Sequence, residues 1–523
     1  MNEESIGALR RRALMSLWQL IRLVDEDPDG MLTGSAYATA GVLGRLWQTP
    51  RLLPDSLARL GLNALARSQN RDGSWGSPHA PRGYRVVPTL AVVCALRELP
   101  HDAPIDRDRA WTAARRGTEF LFSDPEVFVP DRLPSLEAVD CTVPMLLERL
   151  LTQPDFDGAR YGIAASRARN AQRGNVDGCA RRHARAVAGR RVEWRTFPLE
   201  LLDSPPLGWR AEDQLHAGSI WCAPALTASA IRWHGGELDG AQRYLRREAV
   251  RHHGLWPMLA PVTNFERAVA AALFVRLGFP LPPGFVASLS ASLRSALGTE
   301  GMAFAPGLPP DADDTALAVF VLNSWDDPVD PRCLLRFPSP AAPGVLQAAH
   351  VLEAWTTVPR AVAWHRERES ATVRALVEAQ RSDGHWDDRS VASPYPPTAA
   401  AAMALVRALE VEFSADALLA VSRALAWLLA TQRRDGSWGI WHSTTEETAC
   451  AVHALGSCTN PAAERVVAAA LRRAHIFLAD SFDSAVTDSV RTPLWHYKDL
   501  GSPLRIERLY TLTALLMSGS PVP

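Results

Sequence analysis

The chain has 523 residues, 47% of them hydrophobic and 22% charged, with a formal net charge of -1, so it can bury a large core and is long enough for two domains. That balance gives no ground for a nucleic-acid partner, and no apolar run reaches the roughly 18 residues a membrane span needs. The opening "MNEESIGALRRR" (Met1 to Arg12) leads into no signal-peptide apolar core, so a soluble, cytoplasmic protein is expected.

Along the chain, helical periodicity dominates and alternating strand patterns are scarce, which predicts an all-α protein. "QNRDGSWG" (Gln69 to Gly76) is the first of three similar stretches, followed by "QRSDGHWD" (Gln380 to Asp387) and "QRRDGSWG" (Gln432 to Gly439). Each follows a helical apolar stretch. Asp-Gly permits a tight turn with positive φ, the Gln amide can bond free helix-end groups, and the Trp packs over the joint. They read as structural staples spread over two helical-hairpin barrels built on one plan. Residues 159–195 are rich in arginine ("ARRHARAVAGRR"), which an exposed, solvated face explains. "LGFPLPPG" (Leu277 to Gly284) and "RFPSPAAPG" (Arg336 to Gly344) read as turns between helices. In "ADALLAVSRALAWLLAT" (Ala415 to Thr431), Leu418, Val421, Leu425, Leu428 and Leu429 recur at three- and four-residue spacings, the mark of one buried helical face. The seven cysteines (94, 141, 179, 222, 333, 450, 458) form no CxxC pair, so neither a disulfide framework nor a zinc cage is implied. Of the 56 basic residues, Lys498 is the one lysine. A lone ammonium among guanidinium groups marks a position where a compact, flexible cation serves, or a surface survivor.

The stretch with most chemistry is "LPPDADDTALAVF" (Leu308 to Phe320). Two prolines ahead of an apolar helix place Asp311 near the N-cap, with Asp313 and Asp314 in the first turn, where free N–H groups and the helix dipole favour negative charge. Capping needs one acid. Three crowded carboxylates repel, so at least one is expected to keep its proton near neutral pH and to serve as a Brønsted acid. The spacing leaves open which one.

These motifs, taken with "SAYATA" (Ser35 to Ala40), "GSIWCAPALTASA" (Gly218 to Ala230), "NFERA" (Asn264 to Ala268), "DDRSVASPY" (Asp387 to Tyr395), "EETACAVHAL" (Glu446 to Leu455) and "LWHYKDLGSPLR" (Leu494 to Arg505), resemble the bacterial class II terpene cyclases, which cyclise diterpene diphosphates by protonation. The likeness covers nearly the whole chain. It implies two α-helical double barrels: an N-terminal helix (1–30) belonging to a β domain (266–523), an inserted γ domain (31–265), and a substrate cavity between them. It implies Asp313 as the acid that protonates the terminal alkene, supported by Asp311 and Asp314. Lys498, Arg505 and Arg389 are the expected diphosphate cations, and Trp386, Tyr395, Trp438, Trp441 and Trp495 the expected aromatic wall for carbocations. Magnesium is implied as cofactor, but Asp140 stands where relatives often have glutamate, so its ligands stay unassigned. The expected partner is a small prenyl diphosphate, with geranylgeranyl diphosphate first and farnesyl diphosphate, giving a drimane skeleton, second; a homodimer is left open.

Other readings are weaker. "DDPVD" (Asp326 to Asp330) is a literal DDxxD, the magnesium motif of ionisation-type synthases, but Pro328 and Pro331 break any helix there and predict an exposed loop. A prenyltransferase β-subunit shares the barrel plan yet needs Asp, Cys and His for zinc, and no such set stands out. A non-enzymatic binding protein using residues 159–195 lacks interleaved aromatics.

Overall fold

The computed structural model describes residues 3–47, 51–99, 107–189, 197–236, 238, 240–337, 344–358, 363–457, 464–483 and 491–517. Cys458, most of the Arg336 to Gly344 connection and residues 190–196 of the arginine-rich stretch lie outside them. The fold is all-α, and among the described residues the strands form two short antiparallel pairs, Leu215–His216 with Ser219–Ile220 and Trp495–His496 with Leu500–Gly501.

The chain divides into two compact units, Met1–Met31 with Pro261–Arg491 and Pro503–Pro523, and Leu32–Ala260 with Thr492–Ser502. The sequence division at 30/31 and 265/266 differs by a few residues. It also misses the hairpin segment at 492–502, which belongs to the second unit.

In the first unit six helices, Thr263–Leu277, Ala312–Ser324, Val345–Thr356, Tyr395–Val411, Thr445–Ser457 and Leu504–Leu516, pack each on the next and close into a ring. Outer elements return the chain between them, so the inner helices start at one end. Ala312–Ser324 is buried from Ala312 nearly to its end, Asp313 apart, as a helix apolar around its circumference must be. The outer helix Ala415–Thr431 buries one stripe: Ala417, Ala420, Val421, Ala424, Leu425 and Leu428. Leu418, expected inside, is 48% exposed. The stripe runs along the alanines because small side chains let the helix approach the ring closely.

The Gln-Asp-Gly-Trp stretches are joints. Gln69 Nε2 donates to Gly73 O and Ala113 O (2.9 Å each), Gln380 Nε2 to Gly384 O and Ala420 O (2.9 and 2.8 Å), and Gln432 Nε2 to Gly436 O and Ala470 O (2.9 and 2.8 Å). The Trp75, Trp386 and Trp438 indoles donate to Leu65 O, Leu376 O and Leu428 O at 2.8, 2.7 and 2.8 Å. Their backbone N–H groups reach Thr89, Thr398 and Thr448 in the next inner helix. A fourth copy hides in "HGLW" (His253 to Trp256): Gly254 has φ +97° and Trp256 donates to Leu245 O at 2.8 Å. At Asp311–Thr315 the same joint recurs without tryptophan, because Met302 N–H donates to Thr315 Oγ1 at 2.9 Å. The acid triplet is built on a repeat joint.

Candidate active site

Asp311 is the N-cap of Ala312–Ser324: its Oδ1 accepts from Asp314 N (2.9 Å), and its carbonyl accepts from Thr315 Oγ1 (2.5 Å). Its own N–H donates to Met302 O (3.1 Å). That double anchorage fixes the first turn. Asp314 is 2% exposed, whereas the Asp313 side chain is 33% exposed and faces out of the turn.

The sequence reading missed the partner of Asp313. His350 Nδ1 lies 2.6 Å from Asp313 Oδ1, and the imidazole is 11% exposed. A lone histidine inside the apolar helix Val345–Thr356 carries no recognisable signal. Its helix is capped from the "DDRS" loop, for Asp388 Oδ2 accepts from Leu346 N (3.0 Å) while Oδ1 accepts from Ser390 N (2.7 Å). The motif that resembled a substrate loop thus holds the histidine in register.

Inside the ring, Arg276 and Glu353 form a buried ion pair with contacts of 2.8, 3.0 and 2.6 Å. His453 is buried beside it, its Nε2 at 3.0 Å from Thr513 Oγ1 and its ring 5.5 Å from Tyr510. Burial, then Arg276, pushes the His453 imidazole down to about 3, so it stays neutral. Glu447, in the first turn of Thr445–Ser457, is a buried carboxyl that accepts from Ser393 Oγ, Thr444 Oγ1 and Ile440 N at 2.6, 2.7 and 2.8 Å. Burial raises it despite those donors.

Several expected site residues are placed otherwise. Trp386 and Trp438 are 0% exposed and committed to the joints, so they cannot wall a cavity. Tyr395 is 5% exposed and packs on Trp427 of an outer helix, with ring centroids 4.9 Å apart. Lys498, in the second unit, is 5% exposed, with Nζ at 2.8 Å from both Glu200 oxygens; Glu200 also accepts from Tyr37 OH at 2.6 Å. Arg505, in the first unit, donates to Glu266 Oε2 (3.0 Å) and to Asp27. In this structure both cations face carboxylates, Lys498 that of Glu200 and Arg505 those of Glu266 and Asp27. Arg389 is exposed, and Trp441 is half-buried in the loop before Thr445–Ser457; both lie where inner helices of the first unit begin. Trp495 is half-buried in the hairpin of the second unit. "DDPVD" is a loop: Asp326 has φ +56°, Asp327 pairs with Arg294 and Asp330 with Arg332. In the arginine-rich stretch Arg160, Arg169 and Arg182 pair with Glu119, Glu148 and Asp140.

A ring of inner helices, one of which opens on an acid triplet with a histidine beside its middle carboxyl, is an all-α fold shared with solved class II terpene cyclases. The chain belongs to the bacterial class II diterpene cyclases. It is 31% identical to the ent-copalyl diphosphate synthase of Streptomyces sp. strain KO-3988, over 98% of this chain and 97% of that one. It is 32% identical to the labda-7,13-dienyl diphosphate synthase of Streptomyces clavuligerus, over 98% and 95%. Among solved structures, ent-copalyl diphosphate synthase from Streptomyces platensis superposes with a TM-score of 0.80 at 30% identity, covering 98% of this chain and 100% of that chain. The ent-copalyl diphosphate synthase of Arabidopsis thaliana, at a TM-score of 0.53 and 16% identity, shares the fold. No family model matches the chain. No described helix is long and apolar enough to cross a membrane.

Proposed function

We propose that the protein protonates and cyclises geranylgeranyl diphosphate to a bicyclic labdane-type diphosphate, acting in the cytoplasm as a monomer or homodimer. The observation that carries this reading is the Asp313–His350 contact of 2.6 Å at the mouth of a helix N-terminus, in a chain whose relatives make copalyl and labdadienyl diphosphates. Asp313 delivers a proton from Oδ2 to the terminal alkene, which leaves a tertiary carbocation; the internal double bonds then close two rings, and loss of a proton ends the sequence. His350 Nδ1–H donates to Oδ1 and stabilises the carboxylate as it forms, together with the helix dipole. Asp311 and Asp314 hold the turn. The diphosphate stays on the product, with exposed Arg389 proposed as a cation for it and Trp441 as an aromatic face for the cation.

Magnesium is proposed to travel with the diphosphate. Among the described residues no group of three or more His, Cys, Asp and Glu is arranged to hold a metal, and Asp140 is 2.5 Å from Arg182. Diphosphate oxygens and water therefore supply most of its ligands in this reading, and no step is routed through it.

The test is incubation of purified protein with geranylgeranyl and farnesyl diphosphates, with products analysed after phosphatase treatment. The expected outcome is a bicyclic diterpene alcohol, carrying one deuterium from the initiating step when formed in heavy water, without stoichiometric pyrophosphate release. Asp313→Asn keeps the shape and is expected to lower turnover by at least about 100-fold with the fold intact. An active Asp313→Asn variant, with pyrophosphate release tracking product, sinks the assignment in favour of ionisation chemistry.

A further inference from the structure

Deep in the ring of the first unit, one open aromatic sits on a sealed polar cluster. The Arg276 and Glu353 side chains are 4% and 1% exposed, and His453 and Thr513 are fully buried. Thr513 Oγ1 donates to Leu509 O (2.7 Å), so it accepts from His453 Nε2 (3.0 Å), which fixes the plane of the imidazole. Tyr510 packs on that imidazole, with ring centroids 5.5 Å apart and an interplanar angle of 41°. Yet Tyr510 itself is only half-buried.

Tyr510 points into the ring. It lies within electrostatic reach of Arg276 and Glu353, which belong to Thr263–Leu277 and Val345–Thr356. Val345–Thr356 is not a ring neighbour of Leu504–Leu516, so a phenol that senses it faces the axis. Arg276 is within electrostatic reach of Asp313 as well as of Tyr510, which places acid and phenol around one shared cation. Depth follows from helix geometry. At 1.5 Å per residue Tyr510 stands about 9 Å along its helix from Leu504, whereas Glu353 and His453 stand about 12 Å from Val345 and Thr445. Helical side chains lean toward the helix start, so the open surface of Tyr510 faces the end of the ring on which Asp313 stands. Burial, more than any neighbouring charge, pushes the phenol up, so it stays protonated.

We propose that Tyr510 is the floor against which the leading isoprene unit of the substrate stops, and that it selects which double bond meets Asp313. This rests on the function proposed above. The double bonds of a prenyl chain are chemically alike, so an acid alone does not choose the terminal one. A stop at fixed depth does. An aromatic face suits that place, because its negative quadrupole lies beside the tertiary carbocation formed by the first protonation. Without the floor, the chain slides one unit deeper and the next double bond takes the proton from Asp313. The following double bond, toward the diphosphate, then closes one ring on that cation, and loss of a proton from an adjacent carbon ends the sequence. The product is an isomer of the substrate with one ring and its terminal double bond intact.

The test is product analysis of full-length Tyr510→Ala, Tyr510→Leu and Tyr510→Phe with geranylgeranyl diphosphate in heavy water, after phosphatase treatment. Both aliphatic variants are expected to shift the ratio of bicyclic to monocyclic product by at least about tenfold toward the monocycle. That monocycle is expected to keep its terminal isopropylidene and to carry deuterium on the second isoprene unit. Tyr510→Phe, which keeps the ring, is expected to restore the bicycle. Where the aliphatic variants do not fold, crystals of Asp313→Asn with geranylgeranyl diphosphate decide, and the terminal methyl groups are expected in van der Waals contact with the Tyr510 ring. Folded aliphatic variants with the wild-type product ratio return Tyr510 to core packing and overturn the proposal, as does a substrate terminus seated away from that ring. A wild-type protein that cyclises no prenyl diphosphate is a separate failure, because it removes the function on which the floor rests.

Discussion

A carboxylic acid proposed to protonate an alkene needs access to solvent-facing space and a group that supports its carboxylate; the Asp313 side chain is 33% exposed, with His350 Nδ1 at 2.6 Å from Oδ1. Its neighbours divide the remaining work: Asp311 is consumed by capping and Asp314 is buried in the same turn. His350 is the supporting group, so His350→Ala removes a charge-assisted hydrogen bond worth about 1.5 to 3 kcal/mol, which corresponds to roughly a ten- to hundredfold loss in kcat. KM and melting temperature should stay near wild type, because the imidazole is partly exposed and meets the acid rather than the core. His350→Gln, whose amide can still donate, should recover part of the rate. An unchanged kcat in His350→Ala would return the residue to simple packing.

At the scale of the element, the joint explains both what the sequence revealed and what it hid. Gln, Asp-Gly and Trp are distinctive enough to be read directly, and each does the structural task their chemistry predicts. The Gly of each joint is irreplaceable for a geometric reason: Gly436 has φ +89°, and a Cβ there stands 2.4 Å from Arg473 O, with Gly384 likewise 2.5 Å from Arg423 O. Gly436→Ala is expected to destabilise the protein by about 1 to 3 kcal/mol, read as a fall in the denaturation midpoint. An alanine variant with an unshifted midpoint contradicts that reading of the joint. The copies at Gly254 and Met302 escaped notice because the fixed feature is the positive-φ glycine with a threonine or carbonyl contact, while the tryptophan is optional. The same limit applies to the site. The acid triplet is contiguous and legible, whereas His350 is brought to it by the packing of two inner helices. Trp386 and Trp438 were assigned to a cavity wall because an aromatic near a motif looks the same in sequence whether its ring is open or sealed.

For the whole molecule, distant stretches are joined by buried ions, and these joints set its response to pH and mutation. Asp499, in the hairpin of the second unit, accepts from Ser35 Oγ (3.0 Å) and Leu500 N (2.8 Å), yet burial pushes its carboxyl up from 3.8 to about 6. Between about pH 4 and 6 the folded chain therefore holds a proton that the unfolded chain has lost, so this group makes stability fall as pH rises through that window. Asp499→Asn should flatten that decline, seen in the difference between variant and wild-type melting curves from pH 4 to 8. Identical pH profiles would show that the site stays ionised throughout. The last joint concerns the cations. Arg505, near the C-terminal end, meets Asp27 from the N-terminal segment and Glu266 from the first inner helix, and burial raises Glu266 in spite of Arg505. Lys498 ties the late hairpin to Glu200 of the second unit. Removing either cation strands buried carboxylates, so Arg505→Ala and Lys498→Ala are each expected to lose about 3 to 5 kcal/mol of stability. Whatever remains folded should bind substrate with an unchanged KM. The opposite pattern, a steep rise in KM at an unchanged melting temperature, would place these cations on the diphosphate after all, since a charge facing the ligand can be removed without stranding a partner in the core.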